Sequence, residues 1–126
     1  MAGRKVLVVE DEPLICELIT DALQDEGVET ICAGNFEEAI EALAEHAAQI
    51  VVLFTDIALG GGGDGFEVAD EARRRNPNIF VLYTSGHAEA EVRARGVPGG
   101  MAVPKPYSPT ELAGRIASLT VVAGTR

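Results

Sequence analysis

Three acids in a row, Glu10-Asp11-Glu12, follow directly on the apolar run Val6-Leu7-Val8-Val9. A second run, Val51-Val52-Leu53-Phe54-Thr55, leads straight into Asp56, and Thr84-Ser85 closes a third. Lys105 stands between two prolines in Val103-Pro104-Lys105-Pro106-Tyr107. Carboxylates held close together need a hard, oxygen-preferring cation such as Mg2+, or else one of them takes up a proton. A lysine ammonium is a compact charge able to follow an oxyanion. The acidic loop excludes dinucleotide binding, which needs glycines after the first strand so that backbone N–H groups can approach a pyrophosphate. Gly60 to Gly63 lacks the Gly-Lys-Ser/Thr ending of a phosphate-binding loop and reads as a flexible connector.

These groups are far apart in the chain, so the elements between them must bring them together. Lys5 to Val9 reads as a strand apolar on both faces, hence central in a sheet covered by helices. Pro13 suits a first helical turn, and Leu14, Ile15, Leu18, Ile19, Ala22 and Leu23 repeat at helical spacing up to a stop at Gly27. Val28 to Cys32 is a second strand. Asn35, with Glu38 three residues on, opens a helix whose buried stripe is Phe36, Ala39, Ile40 and Leu43. Ile50 to Thr55 is the third strand, and Asp64-Gly65-Phe66-Glu67 opens a capped third helix ending at Asn76-Pro77. Ile79 to Thr84 is the fourth strand, Ala88 to Arg95 a weak helix, and Met101 to Val103 a short fifth strand. Ser108-Pro109-Thr110-Glu111 caps a last helix with Leu112, Ile116 and Leu119 inward, followed by a tail from Thr120. Strands alternating with helices predict a doubly wound, flavodoxin-like parallel α/β sheet of order 2-1-3-4-5. In that order strands one and three are neighbours, and Glu10, Asp11, Asp56, Thr84, Ser85 and Lys105 converge on the carboxyl edge.

The totals agree with one small domain. The 126 residues are 47% hydrophobic, and no stretch approaches the ~20 apolar residues of a membrane span. Residues 1–126 are read as a single domain with its core at about 5–119. The segment Met1-Ala2-Gly3-Arg4-Lys5 does not resemble a secretory signal, which makes a cytoplasmic protein without a membrane partner the expectation. A net charge of −10 disfavours nucleic acid as a partner. The basic cluster Arg73-Arg74-Arg75 falls in a last helical turn, where it complements the helix dipole. Cys16 and Cys32 lack metal-ligand spacing and are expected to be small apolar residues in a reducing compartment, bound neither to zinc nor to each other.

Val6-Leu7-Val8-Val9-Glu10-Asp11-Glu12-Pro13, the Asp56 strand end, Asp64-Gly65 opening a helix, Thr84, and Lys105-Pro106-Tyr107 together resemble the receiver domain of response regulators. That family is the phosphoacceptor module of two-component signalling, and the resemblance covers the chain from Lys5 to Leu119. It implies that Asp56 receives a phosphoryl group from a histidine kinase or histidine phosphotransfer protein. It further implies that Asp11, Asp56 and the Ala58 backbone carbonyl hold Mg2+ or Mn2+, with Glu10 acting through water. Thr84 and Lys105 would contact the phosphoryl group, and a downstream protein partner would read the change. Such a chain takes part in its own phosphoryl transfer and is not a turnover enzyme. It would be a receiver without an output domain, or one cut from a larger protein such as a hybrid kinase.

The chain departs from the family pattern in two places. Ala102 stands where an aromatic switch residue is usual, with Tyr83 and Tyr107 as the nearby aromatics. The loop from Asp56 to Asp64-Gly65 is one residue longer than the commonest pattern and has Gly60 where a proline is usual. Two other classes compete with the signalling reading. One is an aspartate-nucleophile phosphohydrolase, which would want a second acid where Ala58 stands. The other is a receiver-like scaffold that binds without phosphorylation. Asp64 reads as a helix cap, His46 and His87 as surface residues, and the weak fourth helix with the short fifth strand as the partner face.

Overall fold

β1 (Lys5–Val9) has no exposed side chain from Val6 to Val9, because it is hydrogen-bonded on both edges and covered on both faces. It pairs in parallel with β2 (Glu29–Ala33) and β3 (Ile50–Asp56). β4 (Phe80–Ser85) and β5 (Met101–Pro104) extend the sheet to the order β2-β1-β3-β4-β5, all parallel and as expected. The computed structural model describes residues 4–124.

Alternation along the strands divides the core. Val6, Val8, Val52, Phe54, Leu82 and Val103 face α1 (Pro13–Asp25) and α5 (Pro109–Gly124). Leu7, Val9, Leu53, Val81 and Tyr83 face the opposite layer of α2 (Phe36–His46), α3 (Gly65–Arg75) and α4 (Ala88–Arg95). Gly27 stops the first helix at φ +77, a conformation that favours glycine, and its N–H donates to the Gln24 carbonyl at 2.9 Å. The Asp64 cap forms in full: the Glu67 N–H donates to Asp64 Oδ1, and the Asp64 N–H donates to Glu67 Oε1, each at 3.0 Å. Arg74 and Arg75 both pair with Glu71, while Arg73 donates to the carbonyls of Ile79 and Pro98. The basic cluster is thus spent on structure.

Three expectations need correction. Asn35 accepts from the Glu38 N–H at 2.8 Å, but the Glu38 carboxylate accepts from Gly34 N–H rather than from the cap residue, so the box is displaced by one residue. The expected tail from Thr120 continues as helix to Gly124: no glycine or proline lies between the two, and the Thr120 hydroxyl back-bonds to the Ala117 carbonyl at 2.7 Å. Thr125 and Arg126 lie outside the described residues, as do residues 1–3 of the segment tested for a signal. Cys16 and Cys32, read as unlinked, form a disulfide with their Cα atoms 6.4 Å apart. The β1–β2 register sets Val8 against Cys32, and the first turn of α1 packs over the end of β2. Closing a loop of this length removes unfolded-chain entropy equivalent to about 3 kcal/mol. Spacing rules for metal motifs do not detect a pair joined across a helix crossover.

Candidate functional site

The ladder aligns the strand ends. Val9 is paired with Thr55, Asp56 with Thr84, and Thr84 with Val103, so the loops after β1, β3, β4 and β5 open on the same edge. Asp56 ends β3 only 5% exposed. Its Oδ1 accepts from the Ala58 N–H at 3.1 Å, and its Oδ2 accepts from Lys105 Nζ at 2.6 Å. Glu10 is 4% exposed, and its Oε1 accepts from the Glu12 N–H at 3.1 Å. Its own N–H donates to the Ala33 carbonyl at 3.0 Å, which ties the acidic loop to β2. Asp11 is exposed, and carboxylate oxygens of Glu10, Asp11 and Asp56 lie within 4.8 Å of one another.

Gly65 makes this placement possible. A Cβ at this position would lie 2.3 Å from the Asp56 carbonyl oxygen and 2.9 Å from the Ile57 Cα. Its N–H donates to the Ile57 carbonyl at 2.8 Å, so the start of α3 packs directly on the backbone of Asp56. The sequence showed this glycine only as part of a helix start. A glycine just inside a capped helix, where it costs helix propensity, was the available sign of a close approach. The Gly60–Gly63 run, read as a flexible connector, is held to α2: the Gly62 N–H donates to Glu37 Oε2 at 2.7 Å, and the Gly60 carbonyl accepts from the Phe36 N–H at 3.1 Å.

Glu10, Asp11, Asp56 and Lys105 are therefore brought together. Ala58 adjoins Asp56, and the contact it makes is through its N–H. Thr84 lies across the ladder from Asp56, fully buried, with its hydroxyl donating to the Val103 carbonyl at 2.6 Å. The Ser85 hydroxyl donates to Glu91 and accepts from the His87 N–H, which makes it part of the entry into α4. Ala102 is paired with Tyr83. The Tyr83 ring is buried against Phe66 at 5.1 Å, and its hydroxyl accepts from the Val97 N–H at 3.1 Å. Tyr107 instead packs edge-on against Phe54 at 5.5 Å, beside Glu10 and Lys105 in a cleft of about 630 Å³. The two aromatics are thus held in opposite layers of the core.

The charges explain the titration of the pocket. Burial pushes the Glu10 carboxyl from its ordinary 4.5 to about 7; the Glu12 N–H and Lys105 oppose this, and Asp11 and Asp56 add to it. Burial pulls the Lys105 ammonium down, but its bond to Asp56 and the charges of Asp56, Glu10 and Asp11 outweigh that and hold it above the lysine range. Burial, with Glu10 and Asp56 nearby, raises the Tyr107 hydroxyl to about 12. Three converging carboxylates, one of them driven toward its neutral form, are an all-oxygen donor set suited to a hard divalent cation.

Because Glu10 binds its proton more tightly folded than unfolded, its contribution to stability is fully present below pH 4.5 and is lost as pH rises through about 7. The metal-free protein should lose on the order of 2 kcal/mol from this group between pH 5 and pH 8. Affinity for Mg2+ should rise over the same interval and level off above it, because the cation displaces the proton. Urea midpoints and calorimetric titrations at pH 5, 6, 7 and 8 check both signs.

Comparison with known proteins places this geometry among relatives. A family model described as the response regulator receiver domain matches residues 6–117. The transcriptional regulatory protein AruR of Pseudomonas aeruginosa is 40% identical over 120 residues, which cover 91% of this chain and 48% of AruR. The chain thus spans about half the length of that relative. Among solved structures, a response regulator receiver protein from Sinorhizobium medicae superposes with a TM-score of 0.84 at 31% identity, over 94% of this chain and 95% of that one. The receiver domain of the hybrid histidine kinase CckA superposes with a TM-score of 0.77 at 28% identity, over 92% of this chain and 98% of the other.

Proposed function

The chain belongs to the response regulator receiver domain family, a family of signalling domains, and from that premise we propose that it is a cation-dependent phosphoacceptor with Asp56 as the accepting residue. The single observation that carries this reading is the Asp56 carboxylate: buried at a strand end, paired with Lys105, and joined by Glu10 and Asp11 within 4.8 Å. An oxygen of Asp56 attacks the phosphorus of a phosphohistidine on a histidine kinase or phosphotransfer protein. The P–O bond forms as the P–N bond breaks, and the imidazole leaves with the bonding pair and takes up a proton.

Asp11, Asp56 and the Ala58 carbonyl, with Glu10 through water, would hold Mg2+ or Mn2+. When bound, the cation neutralises the charge of two anions brought together. Lys105 is already on Asp56 and turns one of its donors to a phosphoryl oxygen. Thr84 gives up the Val103 carbonyl and donates to the phosphoryl group instead. These exchanges pull on the loops after β4 and β5, so α4 and β5 form the face that a downstream partner reads. Tyr83 is fixed by Phe66 and Val97, which leaves the Thr84 hydroxyl as the moving part beside Ala102. No helix among the described residues is long and apolar enough to cross a membrane. A cytoplasmic location follows from the same signalling role.

Acetyl phosphate with Mg2+ tests the reading against turnover. The expected result is one acid-labile phosphoryl group per chain, absent from Asp56→Ala and absent in chelator. Sustained release of phosphate from esters would instead make the protein a phosphohydrolase, for which Ala58 offers no second acid.

A further inference from the structure

The disulfide between Cys16 and Cys32 has one accessible half and stands directly behind the acidic loop. Cys16 is 5% exposed in the first turns of α1, whereas Cys32 is exposed near the end of β2. The Cys16 N–H donates to the Glu12 carbonyl at 3.1 Å, and the residue after Cys32, Ala33, accepts the Glu10 N–H at 3.0 Å. The bridge therefore clamps the two segments between which Glu10 and Asp11 are held. Both cysteines line a cleft of about 350 Å³ together with Glu10, Asp11, Glu17 and Glu38. Thr20 Oγ1 lies 3.2 Å from the Cys32 sulfur and, since a bridged sulfur has no hydrogen, donates to it.

We propose that Cys16–Cys32 is a thiol–disulfide exchange site, entered at Cys32 by a neutral or cationic dithiol, whose oxidised state braces the acidic loop for its cation. The entering thiolate attacks Cys32 Sγ, and the Cys16–Cys32 bond breaks. Its electron pair leaves on Cys16 Sγ, which takes up a proton. The second thiol of the reductant then cleaves the mixed disulfide and frees Cys32. Two electrons and two protons pass from the dithiol to the pair. Four carboxylates around the cleft disfavour an anionic thiol by charge repulsion. Where the surroundings are reducing, disulfides of this kind exchange rather than persist. The coupling to the cation rests on the acceptor-site reading above, whereas the exchange chemistry does not.

The test uses the intact chain in both redox states. Under limiting cysteamine with an acid quench, peptide mapping should find the mixed disulfide on Cys32 and the free thiol on Cys16. Cysteamine should open the bridge faster than 3-mercaptopropionate after correction for thiolate fraction and for the intrinsic nucleophilicity that each thiol shows toward a small neutral disulfide, with the gap narrowing in high salt. A mixed disulfide on Cys16 overturns the entry side, and equal corrected rates for the two thiols overturn the charge preference. Mn2+ titration of the same samples should show about tenfold weaker binding in the reduced protein, the scale of losing support around a metal ligand. Equal affinity in both states overturns the brace. No Mn2+ binding in either state overturns both the brace and the acceptor-site reading, and the position of the mixed disulfide still decides the exchange site.

Discussion

Lys105→Ala should slow phosphoryl uptake from acetyl phosphate by about 100-fold or more, the usual cost of removing one group that stabilises developing charge. The same variant should bind Mn2+ a few-fold more tightly. The two effects have opposite signs because Lys105 does two things. Its ammonium is 2.6 Å from Asp56 Oδ2, so it neutralises the carboxylate and competes with any cation for it. In the proposed reaction it would also be the mobile positive charge that follows the phosphoryl oxygens. Its side chain is 41% exposed, so water replaces part of what is lost, and the metal-free variant should unfold only slightly earlier than the parent. Stopped uptake together with unchanged or weaker Mn2+ binding would mean that Lys105 merely holds the fold. Quench-flow mass spectrometry and calorimetry on the same preparation separate the two.

Asp11→Ala should weaken Mg2+ and Mn2+ binding by about 100-fold, since even residues that only support a ligand are worth 10- to 100-fold. Asp11 is the exposed member of the carboxylate group, beside the buried Glu10 and Asp56. Its loss removes a hydrogen bond to the Glu10 carboxyl, but Glu10 keeps the Glu12 N–H as a partner and is relieved of a neighbouring negative charge. The variant should therefore keep the urea midpoint of the parent while losing its cation and, with it, phosphoryl uptake. Glu10→Gln makes the contrast. It removes a group that burial drives toward neutrality, so it should flatten the dependence of stability on pH between 5 and 8. A loss of cation binding in Asp11→Ala accompanied by an equal loss of stability would mean a damaged fold rather than a missing ligand.

The sheet order was legible because apolar runs such as Val6 to Val9 and Val52 to Phe54 alternate with helical spacing, and parallel crossovers leave few topologies. The convergence of Glu10, Asp11, Asp56 and Lys105 followed from that order alone, since each residue stands at or just past a strand end. What lay hidden depended on contacts between elements. Gly65 looked like part of a helix start, and its role as the contact that lets α3 sit on the Asp56 backbone appears only in three dimensions. The same holds for Glu37, whose carboxylate pins the glycine run through Gly62. Cys16 and Cys32 were read by their spacing in sequence, but the register between β1 and β2 is what sets them side by side. The Thr84 hydroxyl shows a different gap. Sequence placed the residue beside Asp56, but not the bond that its hydroxyl makes to Val103 in this state.

Asp56 is the residue proposed to take the phosphoryl group. Reduction of the phosphorylated protein with borohydride converts an aspartyl phosphate to homoserine, and peptide mapping then locates it. The predicted result is homoserine at position 56 alone, formed only when both phosphodonor and divalent cation were present. Homoserine at Asp11 or at another acid, or a phosphorylated protein that yields none, would contradict it.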